Sequence, residues 1–600
     1  MESYIHLYGT NSEFTAAYNS PDYKEPWLSL TEENMTIGYS KILTAITFNS
    51  ITWVTDIPAT GGTATKDNCE FKVYANYDNG SFLDISSIVT VEGELVIPSS
   101  TSDQRHEAGQ LTLTAKYNGF TATGNVTVYQ AAVDFSTKPL TFNILSDGAI
   151  IWRASNTSIA KTIKYKLNDN EWASITSNTS SSAPTINVVK GDKIQFRGNN
   201  AQYATNTSVY NSFRGSTASF EAEGNIMSLI YGDDFKNKLT ISGEYAFTSL
   251  FEKCVNLVSA ENLILPATTL ANHCYQSMFR DCSSLTTAPS VLPATTLANN
   301  CYQYMFYGCT KLTTAPALPA TTLADYCYQN MFYRCTSLTT APELPATKLA
   351  SNCYNSMFYG CTKLTTVPKL PATTLVGNCY QSMFQGCTSL TTAPELPATT
   401  LVDNCYQNMF SYCPSLTAAP ELPATTLARY CYKSMFEGCT KLTTAPELPA
   451  TTLSSDCYSD MFNGCTSLTT APELPATTLA IDCYYGMFQG CTSLTTAPEL
   501  PATTLANHCY DIMFYGCTKL TTAPELPATT LAKGCYYYMF SDCTSLIYIK
   551  CLATDISATS CTDGWVSNVA STGTFVKASS ITSWTRGNSG IPEGWTVQNA

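Results

Sequence analysis

The sequence predicts a multidomain fold in which N-terminal β-sandwich domains are followed by an α/β repeat solenoid. Three observations lead there. At 600 residues the chain is too long for one core. Between residues 42 and 225 short runs alternate apolar and polar residues, the period of strands. From Cys274 onward the frame C-Y-x-x-M-F-x-x-C, first met as "CYQSMFRDC", occurs in eleven copies. Internal repetition at a period of 20 to 50 residues is the mark of stacked architectures.

Residues 1–41 ("SEFTAAYNSPDYKEPWLSLTEEN" in their middle) mix aromatic and acidic residues without strand alternation. Such a segment has little core of its own. Phe14, Tyr18, Tyr23 and Trp27 are therefore candidates for anchoring it into a partner's pockets, as an attachment segment. A disordered tail or a strand added to the following domain are the competing readings. From residue 42 to 131, "ILTAITFNSITWV", "CEFKVYANY" and "GQLTLTAKYNGFTATGNVTVYQ" alternate, the last with Asn-Gly at a hairpin turn. This span predicts a β-sandwich of immunoglobulin size. Its "TLTAKYNGFTATGNVTVYQ" ending resembles bacterial Ig-like domains. Residues 132–225 predict a second β-rich sandwich, with "YKLNDNEWASI" and "VVKGDKIQFRG" as hairpin pieces.

The repeat occupies 226–546, with a degenerate opening copy, "AFTSLFEKCVNLVSAENL" at 246–263, as a cap. After one step of 27 residues, caused by an extra residue in "APSVLPATT", the spacing is a steady 26. Leu270, Cys274, Met278 and Cys282 stand four apart, which predicts one side of a short helix widened by Tyr275 and Phe279. The Thr-rich "LTTAP", bounded by proline, predicts a brief strand. One short helix and one short strand cannot bury their own apolar face, so the copies must stack. At about 4.8 Å per copy the stack would be roughly 50 Å long. The tail at 547–600 breaks the frame and carries Trp565, Trp584 and Trp595, suited to capping the last copy.

Two cysteines per copy could be metal ligands, disulfide partners or packing residues. Eight helical positions span about 12 Å, too far for a disulfide within a copy. Two columns of eleven cannot pair off completely, and histidines to complete zinc sites are missing from them. A reduced, buried packing ladder is the reading preferred; disulfides in some copies remain open. Reduced thiols suit assembly in cytoplasm. So does the start "MESYIHLYGTNSEF", which has no basic or apolar region of a secretory signal. Removal of a leader is the other reading of that start.

The aromatic before the second Cys ("MFYGC", "MFQGC"), the Leu of "CTSL" and "CTKL" and the strand-ending Pro resemble the BspA-type leucine-rich repeats of surface proteins in gut Bacteroides. The resemblance covers residues 246–600 and implies a leucine-rich-repeat solenoid. The inserted "ELPATT" departs from the shorter family unit and leaves the pairing at that corner undecided. The whole layout, through "EPWLSLTEEN", "NIMSLIYGDDF" and "IPEGWTV", also resembles virion fibre or decoration proteins of crAss-like phages. That likeness implies a head fibre on the virion surface, bound to other virion proteins through its N-terminus. It also carries the expectation of a homo-oligomer, dimer or trimer. A bacterial cell-surface adhesin is the alternative.

Searching for chemistry predicts no enzyme and no cofactor. The four histidines are His6, His106, His273 and His508, and the last two share one variable repeat column. No phosphate-binding loop, nucleophile elbow or zinc-spaced cysteine pair is present. A net charge of −14 argues against nucleic acid, and no run of 18 apolar residues exists to span a membrane. A column of glutamates, Glu343 and Glu395 to Glu525, could hold Ca²⁺ but reads more simply as a solvated edge beside lysines. The free columns of the repeat gather Tyr304, Tyr307, Tyr326, Tyr333, Tyr359, Tyr430, Tyr485, Tyr515, Tyr537 and Tyr538. They are candidates for contacting a bacterial glycan or protein, against the plainer reading of a solvated face.

Overall fold

A computed structural model describes residues 43–57, 61–78, 80–98, 106–130, 134–179, 183–582 and 584–600. The chain divides into two compact units, residues 1–134 and 135–600.

The first unit is strand-rich and antiparallel. Strands β1 (Leu43–Trp53), β3 (Cys69–Tyr77) and β4 (Phe82–Asp84) form one sheet. Strands β5 (Thr90–Glu92), β7 (His106–Tyr117) and β8 (Phe120–Gln130) form another, and β2 (Gly62–Thr65) pairs with β6 (Glu94–Ile97). Alternation places Ile46, Val73, Ala75, Leu111, Leu113 and Val128 in one core. The β7–β8 hairpin turns at Asn118 and Gly119, both at positive φ (48° and 83°), the geometry for which Asn-Gly is suited.

In the second unit β9 (Leu140–Ile144), β12 (Thr162–Leu167), β13 (Ala173–Thr176), β15 (Lys193–Arg197) and β18 (Phe220–Asn225) lie in one sheet, in the order β13-β12-β15-β9-β18. "YKLNDNEWASI" closes as the β12–β13 hairpin. "VVKGDKIQFRG" does not form a hairpin. Its first arm, β14 (Thr185–Val188), pairs with β10 (Gly148–Ile151), while its second arm, β15, pairs with β12 and β9. Ile186 and Val188 need the facing layer to bury their side chains, so the two arms part.

The boundary expected at 225/226 is not a break in the core. β18 pairs in parallel with β19 (Leu257–Ser259) and β20 (Leu263–Ile264) of the opening copy. Buried side chains then run without interruption from Leu140 to Trp595. The opening copy at 246–263 uses the same frame as the rest: Phe247 N–H donates to Cys274 O at 2.7 Å and Phe251 N–H to Met278 O at 2.9 Å.

The helix expected at Leu270, Cys274, Met278 and Cys282 is not formed; the segment is a run of turns. Its left-handed residues are the reason. His273, Ser277 and Asp281 have φ of 59°, 56° and 58°, and a residue of this kind returns every fourth position in each copy. An α-helix cannot contain them. Alternate amides serve different partners instead. Met278 N–H turns back to Tyr275 O (3.2 Å), whereas Tyr275, Ser277 and Phe279 donate to Cys301, Gln303 and Met305 of the next copy at 2.9–3.0 Å. Every second amide thus ties one copy to the next, as in a parallel sheet. Cys274, Tyr275, Met278, Phe279 and Cys282 are fully buried, while Leu270 is only half-buried at the rim.

Two Thr columns complete each copy. Parallel bridges join Thr287 to Thr314 in "LTTAP", and Thr296 to Thr322 in "PATT". The inserted "ELPATT" therefore brings its own pairing column. Buried rings stack from copy to copy, with Phe279–Phe306 at 5.2 Å and Tyr380–Tyr406 at 5.8 Å, planes within 3°. These core rings stand slightly farther apart than the ordinary strand spacing. At the far end Phe540 N–H donates to Trp565 O at 2.8 Å, so "CTDGWVSN" is a last, altered copy. β21 (Tyr548–Cys551), β22 (Thr574–Lys577) and β23 (Thr596–Asn599) close this end in parallel, over the buried Trp565 and Trp595. Trp584 is half-buried and stacks on Trp565 at 5.8 Å. Among the described residues no helix is long and apolar enough to cross a membrane.

Candidate ligand-facing surface

The repeat fixes which side chains can face outward. In C-Y-x-x-M-F-x-x-C the named residues are core, and the second free position of each pair takes the left-handed conformation. Gly308, Gly360 and Gly386 meet that demand without strain, at φ of 71°, 69° and 73°. Within this frame only the first free position of each pair has ordinary backbone, and its side chains range from buried, as at Gln276, Gln303 and Ser411, to half-buried, as at Tyr307, Tyr333 and Tyr359.

The first such column is an amide ladder at its start. Gln276 Nε2 donates to Gln303 Oε1, Gln303 Nε2 to Gln329 Oε1 (2.5 Å), and Gln381 Nε2 to Gln407 Oε1 (2.7 Å). After buried Glu252 of the opening copy, the second column runs as Arg280, Tyr307, Tyr333 and Tyr359. The three rings stack face to face at 4.7 and 4.5 Å. The Arg280 guanidinium lies 5.1 Å from the Tyr307 centroid and 5.9 Å from that of Tyr304, while Arg334 lies 5.5 Å from that of Tyr333. Tyr304 meets Tyr307 edge-on at 5.9 Å. The structure thus brings four of the ten candidate tyrosines together.

The other six are scattered along the array. Tyr326, 38 % exposed, stands apart from the ladder. Tyr430 is covered by Arg429 at 4.7 Å and Lys433 at 5.3 Å. Tyr485 and Tyr515 lie beside acids: Asp511, Asp460 and Asp482 for the first, Asp542 for the second. Tyr537 and Tyr538 pack edge to face at 4.6 Å. Sequence reasoning missed Tyr412, 53 % exposed, whose hydroxyl donates to Glu437 Oε1 at 2.7 Å. It also missed Arg280 and Arg334. Aligning the copies by column was the signal that could have found Arg280, since it occupies the place of Tyr307. Phe14, Tyr18, Tyr23 and Trp27 lie outside the described residues.

Toward the last copies the same face turns acidic. Burial, followed by the charge of Glu437, pushes the Asp460 carboxyl above the ordinary value, against the bond from Ser459 and the charge of Lys433. Burial and Asp456 do the same to Asp482. Burial also raises Asp511, partly offset by His508, whose Nδ1 lies 2.9 Å from its Oδ2. Among the described residues no group of three or more His, Cys, Asp or Glu side chains could hold a metal ion. The glutamates of the exposed column include Glu525, paired with Lys550 at 3.0 Å.

All 26 cysteines are free thiols, and only Cys69 is not buried. Burial pushes the Cys361 and Cys413 thiols up to about 12. Such thiols are poor nucleophiles. Each second-column thiol donates to a phenylalanine carbonyl of the preceding copy, as Cys439 Sγ does to Phe410 O at 3.2 Å. These weak bonds add a further link between copies. The hydroxyls of Tyr275, Tyr302, Tyr328, Tyr380, Tyr484, Tyr510 and Tyr536 are buried beside the first thiol column without a hydrogen-bond partner.

The family described as BspA type leucine rich repeat region matches residues 230–339, 328–469 and 455–583, more than half of the chain. The chain belongs to the BspA-type leucine-rich repeat family. Among solved structures, the BspA-type chain is similar to a leucine-rich repeat protein from Bacteroides ovatus ATCC 8483. The two are 17 % identical over 60 % of this chain and 86 % of that one, with a TM-score of 0.33. It also matches a TLR13–ssRNA13 complex at 13 % identity over 55 % of this chain and 46 % of that one, with a TM-score of 0.21. No curated protein matches the chain.

Proposed function

We propose that this BspA-type protein is a non-enzymatic display protein whose repeat solenoid presents an adhesive face to a glycan or protein ligand. One observation carries the reading. The core columns of the repeat hold still, while the outward columns vary and gather the stacked ladder of Tyr307, Tyr333 and Tyr359. Rigid aromatics on a stiff scaffold supply contact area at low entropic cost. The strand-rich first unit we read as an Ig-like sandwich serving as a spacer.

The carrier we favour is a phage virion, on which the chain would act as a head fibre or decoration protein in a dimer or trimer. Supporting it are the 26 unpaired thiols, which suit assembly in a reducing compartment. Residues 1–41 would then attach the chain to other virion proteins. The second reading, a bacterial cell-surface adhesin, is favoured by the family match to BspA-type repeats. Immunogold electron microscopy against this chain separates the two: label on particles supports the first, and label on cell envelopes the second. Deleting residues 1–41 should leave a folded protein that no longer joins the particle. Normal incorporation of the truncated chain would move attachment elsewhere.

A further inference from the structure

The start of the turn face has a charge pattern at odds with the rest of the molecule. The chain as a whole carries −14. Yet Arg280 heads the tyrosine ladder, its guanidinium over Tyr307 at 5.1 Å, and Arg334 flanks it, 5.5 Å from the Tyr333 centroid. A guanidinium stacked on an aromatic face keeps its N–H edge open for in-plane bonds to a carboxylate or sulfate. Arg280 meets Asp281 only at 3.7 Å, beyond hydrogen-bond distance, with 41 % of its side chain exposed. Of the other acids here, buried Glu252, which precedes Arg280 in its column, is bonded to Tyr210, Asp325 accepts from the Ser351 amide at 2.9 Å, and Glu343 lies in the exposed glutamate column away from this face. The two arginines stand two copies apart, a distance of two ring steps, 5.2 and 5.6 Å.

Between the arginines the rings stack on each other, so their faces are taken. What they offer is a regular row of edges and hydroxyls. A regular polymer, rich in hydroxyls and with anionic groups at every second unit, matches such a row. From this we infer that the first four copies bind an acidic polysaccharide bearing one carboxylate per disaccharide, laid along the array across Arg280, Tyr307, Tyr333, Arg334 and Tyr359. The acids Asp460, Asp482 and Asp511 of later copies repel such a chain and confine it to this end. The inference rests on the adhesive reading above and names its ligand class.

The test uses the full chain and two probes, hyaluronan octasaccharide and a chitin oligosaccharide of similar length, in calorimetric titrations at low and at physiological salt. The expected result is hyaluronan binding that weakens with salt and falls by about tenfold or more in R280Q/R334Q, as loss of charge-assisted bonds requires. A melting curve like that of the unmutated protein excludes misfolding of the variant. Binding of the neutral chitin probe alone, or hyaluronan binding unchanged in R280Q/R334Q, overturns the inference and leaves the tyrosine face as a glycan surface. Binding of neither probe overturns the inference and removes glycan from the adhesive reading, leaving a protein ligand.

Discussion

Gly386→Ala distinguishes the turn-built copy from a helix by the sign of its effect. Gly386 has φ of 73°, and a Cβ built on it would lie 3.6 Å from Gly360 Cα and 3.7 Å from Gly360 N. Those are ordinary contacts, so no clash contributes. What remains is the backbone. An L-residue in the left-handed region costs about 1–2 kcal/mol, and alanine has no side-chain hydrogen bond to offset it. Gly386 N–H also donates to Ser411 O at 2.8 Å, so a relaxing backbone would disturb the next copy as well. In a helix the same change would stabilise by about 0.8–1 kcal/mol. Urea denaturation should show a loss, and native-state hydrogen exchange should place the faster opening in the copies around residues 360–412. Gly386→Asn should cost less, since asparagine tolerates this region. A gain in stability from Gly386→Ala would refute the run of turns and restore the helix.

Four further outcomes follow from the same geometry. Phe410 is fully buried and stacked at 5.8 Å on both Phe384 and Phe436, so Phe410→Ala should cost about 3–5 kcal/mol in denaturant titrations. Thiol titration without reductant should find most of the 26 cysteines unreactive in the native protein and free after unfolding, with Cys69 the most accessible. The Asp460 carboxyl is raised, so its contribution to stability is full below the ordinary value of 3.8 and is lost as pH rises through its folded-state value. Asp460→Asn, which also suits φ of 55°, should therefore melt higher at neutral pH and show no such gain in acid. Tyr326 sits at φ 58° where other copies carry asparagine, so Tyr326→Asn should hold or raise the melting temperature.

The 26-residue period, the need to stack and the Asn118–Gly119 hairpin were legible because each rests on local sequence. The helix was misread because a period of four lies close to 3.6, and buried residues four apart satisfy both. The distinguishing mark was present in the free positions: Asn, Asp, Ser or Gly at most of them, every fourth residue. Of these, Gly, and after it Asn and Asp, enter the left-handed region most readily. Pairing of β18 with β19 and β20 was not legible, since alternation reveals a strand's faces and not the partner at its edge. For the same reason the second strand-rich block read as a separate domain, although it shares a core with the array.

That division of the free positions also sorts the candidate tyrosines. Tyr307, Tyr333, Tyr359, Tyr485, Tyr515 and Tyr537 stand in columns of ordinary backbone, where any side chain is accommodated. Tyr304, Tyr326, Tyr430 and Tyr538, with Tyr412, stand at φ between 46° and 58°, where a bulky L-residue costs about 1–2 kcal/mol. Asparagine or glycine fills these same columns in other copies, as at Asn300, Asn352 and Gly534. The fold therefore does not require the rings. Local strain held at an exposed position is a pointer to function rather than to packing. Tyr304, edge-on to Tyr307 and beneath Arg280, is the strained ring that adjoins the stacked ladder. Strained rings are spread along the array, at Tyr304, Tyr326, Tyr412, Tyr430 and Tyr538, but only in the first copies does one adjoin both the stacked ladder and an arginine.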